Sequence, residues 1–403
     1  MMADVADAPW LTILGWGESG INGLTPASKA ALERAEIVFG AARHLRVLPS
    51  LQAEVREWPV PFADGVPELL AERGRQVVML VSGDPFWFGA GTVLARHLSA
   101  GEWLSHPSPS TFSLAAARLG WGLERTRCLG LHAAPLTRIR PALQSGQRLI
   151  VLLRDGDAVA ELSALLTRCG FSASTLHILE ALGGERERVR SITTDQMLPV
   201  DIEHPVAVGL EVDGNGPAMP LAPGLPDEFF EHDGQITKQR VRAMTLAALA
   251  PKAGERLWDI GSGSGSIAIE WLLTHAENSA IGFERSSERA ARARRNASAL
   301  GVDWLEIIEG AVPEALEGQP LPDAVFIGGG LTAELLDTLW DRLPKGVRIV
   351  ANAVTLESEA LLAQWHVLKG GDLGRIELAD ARPIGRRRGW KASYPIVQWR
   401  ITR

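Results

Sequence analysis

The stretch "RLWDIGSGSGSIAIEW", Arg256 to Trp271, sets three glycines between a short apolar run and a helical pattern. The apolar run reads as a buried strand, the glycines as a tight turn, and "SIAIEW" as a helix packing back onto the strand. Gly261, Gly263 and Gly265 are spaced G-x-G-x-G, whereas a dinucleotide turn needs G-x-G-x-x-G, and Ser266 stands where its third glycine would fall. No Gly-Lys-Ser/Thr follows, so a phosphate loop is excluded. Asp259 ends the strand, Ser262 and Ser264 fill the turn, and Glu284 in "GFERS" ends the next apolar run, nineteen residues beyond Gly265. A carboxylate there can accept hydrogen bonds from both hydroxyls of a ribose. These residues suit the S-adenosylmethionine form of a nucleotide cradle, in which open backbone passes close to the amino-acid and ribose portions of the ligand. A glycine turn that merely permits tight packing is the plainer reading.

Around this turn, strand-like and helix-like segments alternate, as in α/β domains with mostly parallel sheets. After it come helix "SERAARARRNASALG" and strands "LEIIEG", "DAVFIGGG" and "RIVANAV"; before it lies helix "ITKQRVRAMTLAALA". The closing segments "DLGRIELADARP" and "YPIVQWR" predict an antiparallel pair. Upstream, "DGNGPAMPLAPGLPDEF" breaks the periodicity with Gly and Pro and marks a linker. In the first half, "WLTILGWG", "RQVVMLVSGD", "RTRCLGLHA", "RLIVLLRDG" and "STLHILEAL" read as buried strands, with helices at "PASKAALERA", "GAGTVLARHLSA", "TFSLAAARLG" and "DAVAELSALLTRCG". "RVRSITTDQM" and "HPVAVGLEV" follow as strands without a long helix between them, which predicts a mixed sheet.

With 403 residues the chain is too long for one ordinary core, and its 46% hydrophobic and 22% charged composition is that of a globular enzyme. No apolar run reaches the roughly 18 residues of a membrane span. The acidic opening "MMADVADAPW" does not read as a signal peptide. Cys128 and Cys169 have no metal-binding spacing, so neither a disulfide scaffold nor a metal site is expected and the cytoplasm is the default location. A net charge of −7 argues against a broad nucleic-acid surface, though not against a local basic pocket. Enzymes that methylate base amino groups usually carry Asn/Asp-Pro-Pro-aromatic after the fourth strand; here "PDAVFIGGG" (Pro322 to Gly330) offers backbone donors and space for a bulkier acceptor.

The second half, through "GLPDEFFEHDGQITKQRVRA", "LWDIGSGSGSIAIE", "EGAVPEAL", "PDAVFIGGG" and "IVANAVTLESE", resembles the C-terminal unit of the decarboxylating precorrin-6Y C5,15-methyltransferase family of vitamin B12 biosynthesis. The first half resembles the tetrapyrrole methylase fused to it in that family, through "ILGWGESGINGLTPAS", "VSGDPFWFGAG", "HPSPSTFSLAAARLGW" and "LGLHAAP". The resemblance implies a two-lobed α/β tetrapyrrole methylase domain at residues 10–213, a linker at 214–223, and a Rossmann-like class I S-adenosylmethionine-dependent methyltransferase and decarboxylase domain at 224–403. It implies one cofactor per domain, a small tetrapyrrole substrate, and association into a homo-oligomer.

By the same resemblance, Gly15, Gly17 and Gly20 line one cofactor turn of the first domain, and Gly83, Asp84 and Pro85 the other. Asp84 is also readable as a cap for the following helix. Ser110 or Thr111 begins a helix whose free N–H groups could hold a substrate carboxylate or simply be capped. His132 sits in His-Ala-Ala where the family often has His-Gly-Arg, and a packed or solvated histidine is its plainer reading. In the second domain Thr237, Gly310 and Ala311 match cofactor-side positions, and Asn352 and Glu357 match a motif near the acceptor, equally readable as a helix N-terminus.

Methyl transfer to an enamine-like meso carbon of a reduced tetrapyrrole needs alignment more than acid–base help, which suits the lack of a visible catalytic triad. Loss of carbon dioxide from an acetate arm needs an electron sink, which the conjugated ring provides. The many carboxylates of such a substrate predict a basic pocket. Lys238 and Arg242, four residues apart, share a helix face while Arg240 points elsewhere. Arg382, Arg386, Arg387, Arg388 and Lys391 form a second group; a solvated charged face is the plainer reading of each.

Overall fold

The computed structural model describes residues 9–403; the acidic opening, residues 1–8, lies outside them. The chain forms two compact units, one of residues up to Ala134 with Gln144–Pro217, the other of Pro135–Leu143 with Ala218–Arg403.

The first unit holds two sheets. One is wholly parallel, built from β1 (Leu11–Trp16), β2 (Ile37–Gly40), β3 (Glu54–Glu57), β4 (Val77–Ser82) and β5 (Trp103–His106) in the order β3-β2-β4-β1-β5. The other joins β6 (Arg127–Gly130), β7 (Arg148–Leu153), β8 (Thr175–Glu180), β9 (Arg188–Thr193) and β10 (Val206–Glu211) in the order β6-β7-β10-β8-β9. Only its β6–β7 pair is parallel, so the sheet is mixed, as the missing helices predict. β2, β3 and β5 escape the sequence reading. They have only four residues each, β3 is largely open to solvent and β5 half-buried, so they lack a long apolar run. "GAGTVLARHLSA" forms only a short helix, Gly91–Leu94, and one tighter turn. Helix Thr111–Leu119 is capped by Ser110, whose Oγ accepts the Ser113 N–H at 3.1 Å.

The second unit is one seven-stranded sheet and a hairpin. β11 (Arg256–Ile260), β12 (Ser279–Glu284), β13 (Glu306–Glu309), β14 (Ala324–Ile327), β15 (Arg348–Ala353) and β16 (Asp372–Ile376) precede the hairpin of β17 (Ala379–Ile384) and β18 (Arg387–Ala392); β19 (Ile396–Thr402) returns to the sheet. The order is β13-β12-β11-β14-β15-β19-β16, parallel except for β19, which runs against both neighbours. The predicted antiparallel closing pair is β16 with β19. "DLGRIELADARP" is not one strand, however: after β16 the chain leaves the sheet as β17.

Apolar residues of the central strands alternate between two cores. Leu257, Ala324 and Phe326 pack on one face, against helices Gln239–Leu249, Ser266–Thr274 and Ser287–Ala299; Trp258, Val325 and Ile327 pack on the other. A parallel sheet covered on both faces needs such unbroken apolar runs. The strand order reverses between β11 and β14, and in open α/β sheets ligands bind beyond the carboxyl ends of the strands at that point.

Candidate active sites

The glycine turn of the second unit lies at this reversal. Gly261 has a left-handed φ of 73°, and a Cβ on it would stand 2.7 Å from the backbone nitrogen of Gly329. The turns "GSGSG" and "IGGG" therefore meet backbone to backbone, and only glycine fits. A Cβ on Gly263 would meet nothing closer than 3.9 Å, so the space above the turn is open. Beneath it, Asp259 is 1% exposed, and its Oδ2 accepts from the Ala268 N–H and the Ser262 hydroxyl, both at 3.2 Å. Burial, aided by the charge of Glu284, pushes the Asp259 carboxyl up to about 7.

Glu284 is buried at the end of β12, where its Oε2 accepts the Gly263 N–H at 3.0 Å and its Oε1 the Ser286 N–H at 2.9 Å. Each oxygen keeps a second lone pair for another donor. Gly310 donates its N–H to the Glu284 carbonyl at 3.1 Å, which brings Gly310 and the exposed Ala311 to the same edge. Asp259, Gly261, Ser262, Gly263, Ser264, Gly265, Glu284 and Gly310 thus form one cradle of open backbone and paired carboxylates. These residues fit the nucleoside and amino-acid ends of S-adenosylmethionine, because the turn leaves room where side chains would fill it.

Two residues absent from the sequence reading hold this cradle in place. Buried Asn296, on helix Ser287–Ala299, donates Nδ2 to the carbonyls of Ser264 at 2.9 Å and Glu231 at 3.0 Å, while its Oδ1 accepts the Glu231 N–H at 2.8 Å. Glu270, on helix Ser266–Thr274, accepts the N–H groups of Gly224 at 2.6 Å and Leu225 at 2.9 Å. Its remaining partner is Arg242, and this corrects the substrate-side reading of that arginine. Arg242 is 0% exposed, and its guanidinium donates to Glu270, to the carbonyls of Thr237 and Leu225, and to Asp227, under the ring of Phe230. A guanidinium so enclosed ties the segment before helix Gln239–Leu249 to the helix after the glycine turn.

Lys238 stands just before the helix in extended backbone, so it shares no helix face with Arg242; its exposed ammonium reaches Asp227 at 3.5 Å, while Arg240 pairs with Asp380 of β17 at 3.2 Å. Thr237 is half-buried beside Arg242. Asn352, on β15, donates Nδ2 to the Thr245 hydroxyl at 2.9 Å and accepts from Gln398 at 2.9 Å. Glu357 is exposed in the first turn of helix Leu356–Lys369, which Thr355 caps. A carboxylate there suits the positive end of a helix dipole. Arg382, Arg386, Arg387, Arg388 and Lys391 are exposed on the β17–β18 hairpin.

In the first unit a second close approach links β1 to the turn after β4. A Cβ on Gly15 would lie 2.2 Å from the Gly83 carbonyl and 2.4 Å from the Ser108 nitrogen. The Ser108 hydroxyl donates to the Gly15 carbonyl at 2.7 Å, and the Gly83 N–H to that of Trp16 at 3.1 Å. Gly17 follows, its carbonyl accepting from Gly20. Asp84 caps no helix, since none starts before Gly91; its Oδ1 accepts the Phe86 N–H at 2.9 Å and closes a local turn. His132 is exposed, with its pKa lowered first by burial of its ring and then by the charge of Arg43.

No helix among the described residues is long and apolar enough to cross a membrane. Residues 11–198 match the model of the tetrapyrrole (corrin/porphyrin) methylases, and residues 228–403 that of the precorrin methyltransferase domain. A precorrin-6Y C(5,15)-methyltransferase [decarboxylating] from Sinorhizobium sp. is 45% identical, covering 100% of both chains. One of the same name from Mycobacterium tuberculosis is 38% identical over 98% of this chain and 100% of its own. Among solved structures, the C-terminal domain of the Rhodobacter capsulatus precorrin-6Y C5,15-methyltransferase is 52% identical, covering 46% of this chain and all of that one, with a TM-score of 0.45. With both glycine cradles built and both halves matched end to end, the chain belongs to the decarboxylating precorrin-6Y C5,15-methyltransferase family.

Proposed function

We propose that this chain methylates precorrin-6B (precorrin-6Y) at C-5 and C-15 and decarboxylates the C-12 acetate arm, giving precorrin-8X for cobalamin biosynthesis. The observation that carries the reading is 45% identity, over all of both chains, to a relative named for that reaction. The N-terminal unit methylates C-5; the C-terminal unit methylates C-15 and removes the carboxyl group. Each unit holds one S-adenosylmethionine, which when bound supplies an electrophilic methyl group. The chain works as a cytoplasmic homo-oligomer on a small tetrapyrrole, without nucleic acid.

The residues serve chiefly to bind and align. Glu284 offers its open lone pairs to the ribose hydroxyls, and Gly261 and Gly263 keep side chains out of the ligand's path. Gly15, Gly17, Gly83 and Asp84 shape the other cradle. Holding two reactants in line can remove on the order of 7–11 kcal/mol of a barrier. Lys238, Asn352, Glu357, Arg386 and Arg387 lie on the acceptor side of the second unit, with the cations holding carboxylate arms. As carbon dioxide leaves, the bonding electrons pass into the conjugated ring, so the acetate must stay ionised and the chain need supply no base; the methylene carbon left behind then takes up one proton, from solvent, to become a methyl group.

Incubation with precorrin-6B and methyl-labelled cofactor should give a product carrying two labelled methyl groups and lacking one carboxyl group, read by mass spectrometry. Absence of that product refutes the reading. Calorimetric titration with S-adenosylhomocysteine should find two equivalents; a single equivalent would make one unit a scaffold.

A further inference from the structure

Three polar side chains meet at the carboxyl edge of the second unit's sheet, and the cofactor cradle uses none of them. Asn352 stands one residue before the end of β15. Ala351 pairs with Ile327, the last residue of β14, so Asn352 lies level with Gly328, where the "IGGG" turn begins. Neighbouring strands run about 4.8 Å apart, which puts Asn352 beside the turn that meets Gly261. Val350 packs into the core with Leu246 and Leu249, and strand alternation turns Asn352 to the same face. Gln398 sits directly opposite it on β19.

The hydrogen bonds among these residues fix the Asn352 amide. Its Nδ2 donates to Oγ1 of the fully buried Thr245 at 2.9 Å. Nε2 of Gln398 donates to Oδ1 of Asn352 at 2.9 Å and to Thr245 at 3.3 Å. Thr245 thus accepts twice, and Gln398 gives both its N–H groups. One N–H of the Asn352 amide is left with no acceptor among the described residues. Asn352 is half-buried and Gly328 beside it is exposed, which leaves the edge open to a ligand. Helix Gln239–Leu249 runs against β15, since Arg348 at the strand's start donates to the Leu249 carbonyl while Asn352 near its end meets Thr245. From Thr245 back to Gln239 the helix continues about 9 Å in the strand direction, and the exposed Lys238 stands just before it. A neutral donor and a separate cation therefore lie on the same side of the sheet edge.

Decarboxylation makes opposite demands on the carboxylates of one substrate. In the arm that reacts, the bond from methylene to carboxyl carbon breaks and its electron pair enters the conjugated ring. Carbon dioxide leaves, and the methylene takes one proton from solvent. Negative charge flows away from that carboxylate, so a cation on it would favour the ground state over the transition state. An amide N–H holds the group in place, leaves it ionised and opposes the movement of charge far less. Arms that do not react carry no such conflict and suit cations such as Lys238. We propose that Asn352 holds the acetate carboxylate that is lost as carbon dioxide, and that Thr245 and Gln398 are positioning residues that aim its amide. The inference rests on the function proposed above.

The test compares the full-length protein with Asn352→Leu, Asn352→Asp, Thr245→Val, Thr245→Ser and Gln398→Met, by mass spectrometry of the products formed from precorrin-6B. In N352L decarboxylation should fall about ten- to a hundredfold relative to C-15 methylation, so that a methylated product retaining its carboxyl group accumulates. N352D sets a negative charge against the reacting arm and should lose at least as much. T245V and Q398M should show the same imbalance in smaller degree, and T245S, which keeps the hydroxyl, should restore the parent ratio. C-5 methylation and S-adenosylhomocysteine affinity should stay at the parent level throughout. If T245V fails to fold, Q398M, at a half-buried strand position, carries the positioning test. A parent ratio in N352L, or equal loss of C-15 methylation and decarboxylation in every variant, overturns the inference. A parent ratio in both T245V and Q398M removes the positioning roles. Failure of the parent itself to form the decarboxylated product overturns the proposed function, and the inference with it.

Discussion

Replacing Asp259 by Asn tests the electrostatics of the cofactor cradle. The carboxyl is buried beside Glu284 and is pushed up to about 7, against 3.8 for an ordinary aspartate. Its ionised form is thus disfavoured in the fold. That cost is absent below the unfolded pKa, grows as pH rises from about 4 to 7, and is complete above about 7. At 1.36 kcal/mol per unit, three units correspond to about 4 kcal/mol. An asparagine carbonyl placed at Oδ2 keeps the bonds from Ala268 and Ser262 and carries no charge. Without ligand, Asp259→Asn should match the parent near pH 3 and be more stable at pH 8–9 by up to about 4 kcal/mol. Urea unfolding followed by circular dichroism across this range reads the difference between the two proteins. A difference independent of pH, or a variant weaker than the parent at pH 8–9, would refute the reasoning.

Two further substitutions probe the frame. In Gly261→Ala the new methyl meets the Gly329 backbone at 2.7 Å, so affinity for S-adenosylhomocysteine should fall well over tenfold. In urea unfolding, Gly263→Ala should cost only the left-handed strain of about 1–2 kcal/mol, since its methyl meets no protein atom closer than 3.9 Å, whereas Gly261→Ala should cost more; equal losses of stability would contradict the close approach of the two turns. Arg242→Met leaves Glu270 buried with only backbone partners and should cost about 3–5 kcal/mol in urea unfolding, part of which returns in the double variant Arg242→Met/Glu270→Gln. Unchanged stability with a raised KM for the tetrapyrrole would return Arg242 to the substrate side.

The sequence reveals the second unit's central strands because each is buried on both faces and therefore reads as an unbroken apolar run. Asp259, the three glycines and Glu284 are legible because their spacing follows from one strand, one turn and one helix. Arg242 is not legible in the same way. A charge pattern gives the face of a helix, but not whether that face meets solvent or a carboxylate 28 residues away. Asn296 is silent for a related reason, since its value lies in two backbone carbonyls from separate segments. The β17–β18 hairpin is hidden by polar strands with no buried face.

The two amides on Glu284 bear on how quickly a ligand can settle. The carboxylate already spans the glycine loop and the start of the next helix through these two amides, so an arriving nucleoside need not order it first. Such preorganisation removes an entropic toll from binding the spent cofactor as well as the fresh one. If the spent cofactor is held by the same contacts, turnover should slow as S-adenosylhomocysteine accumulates.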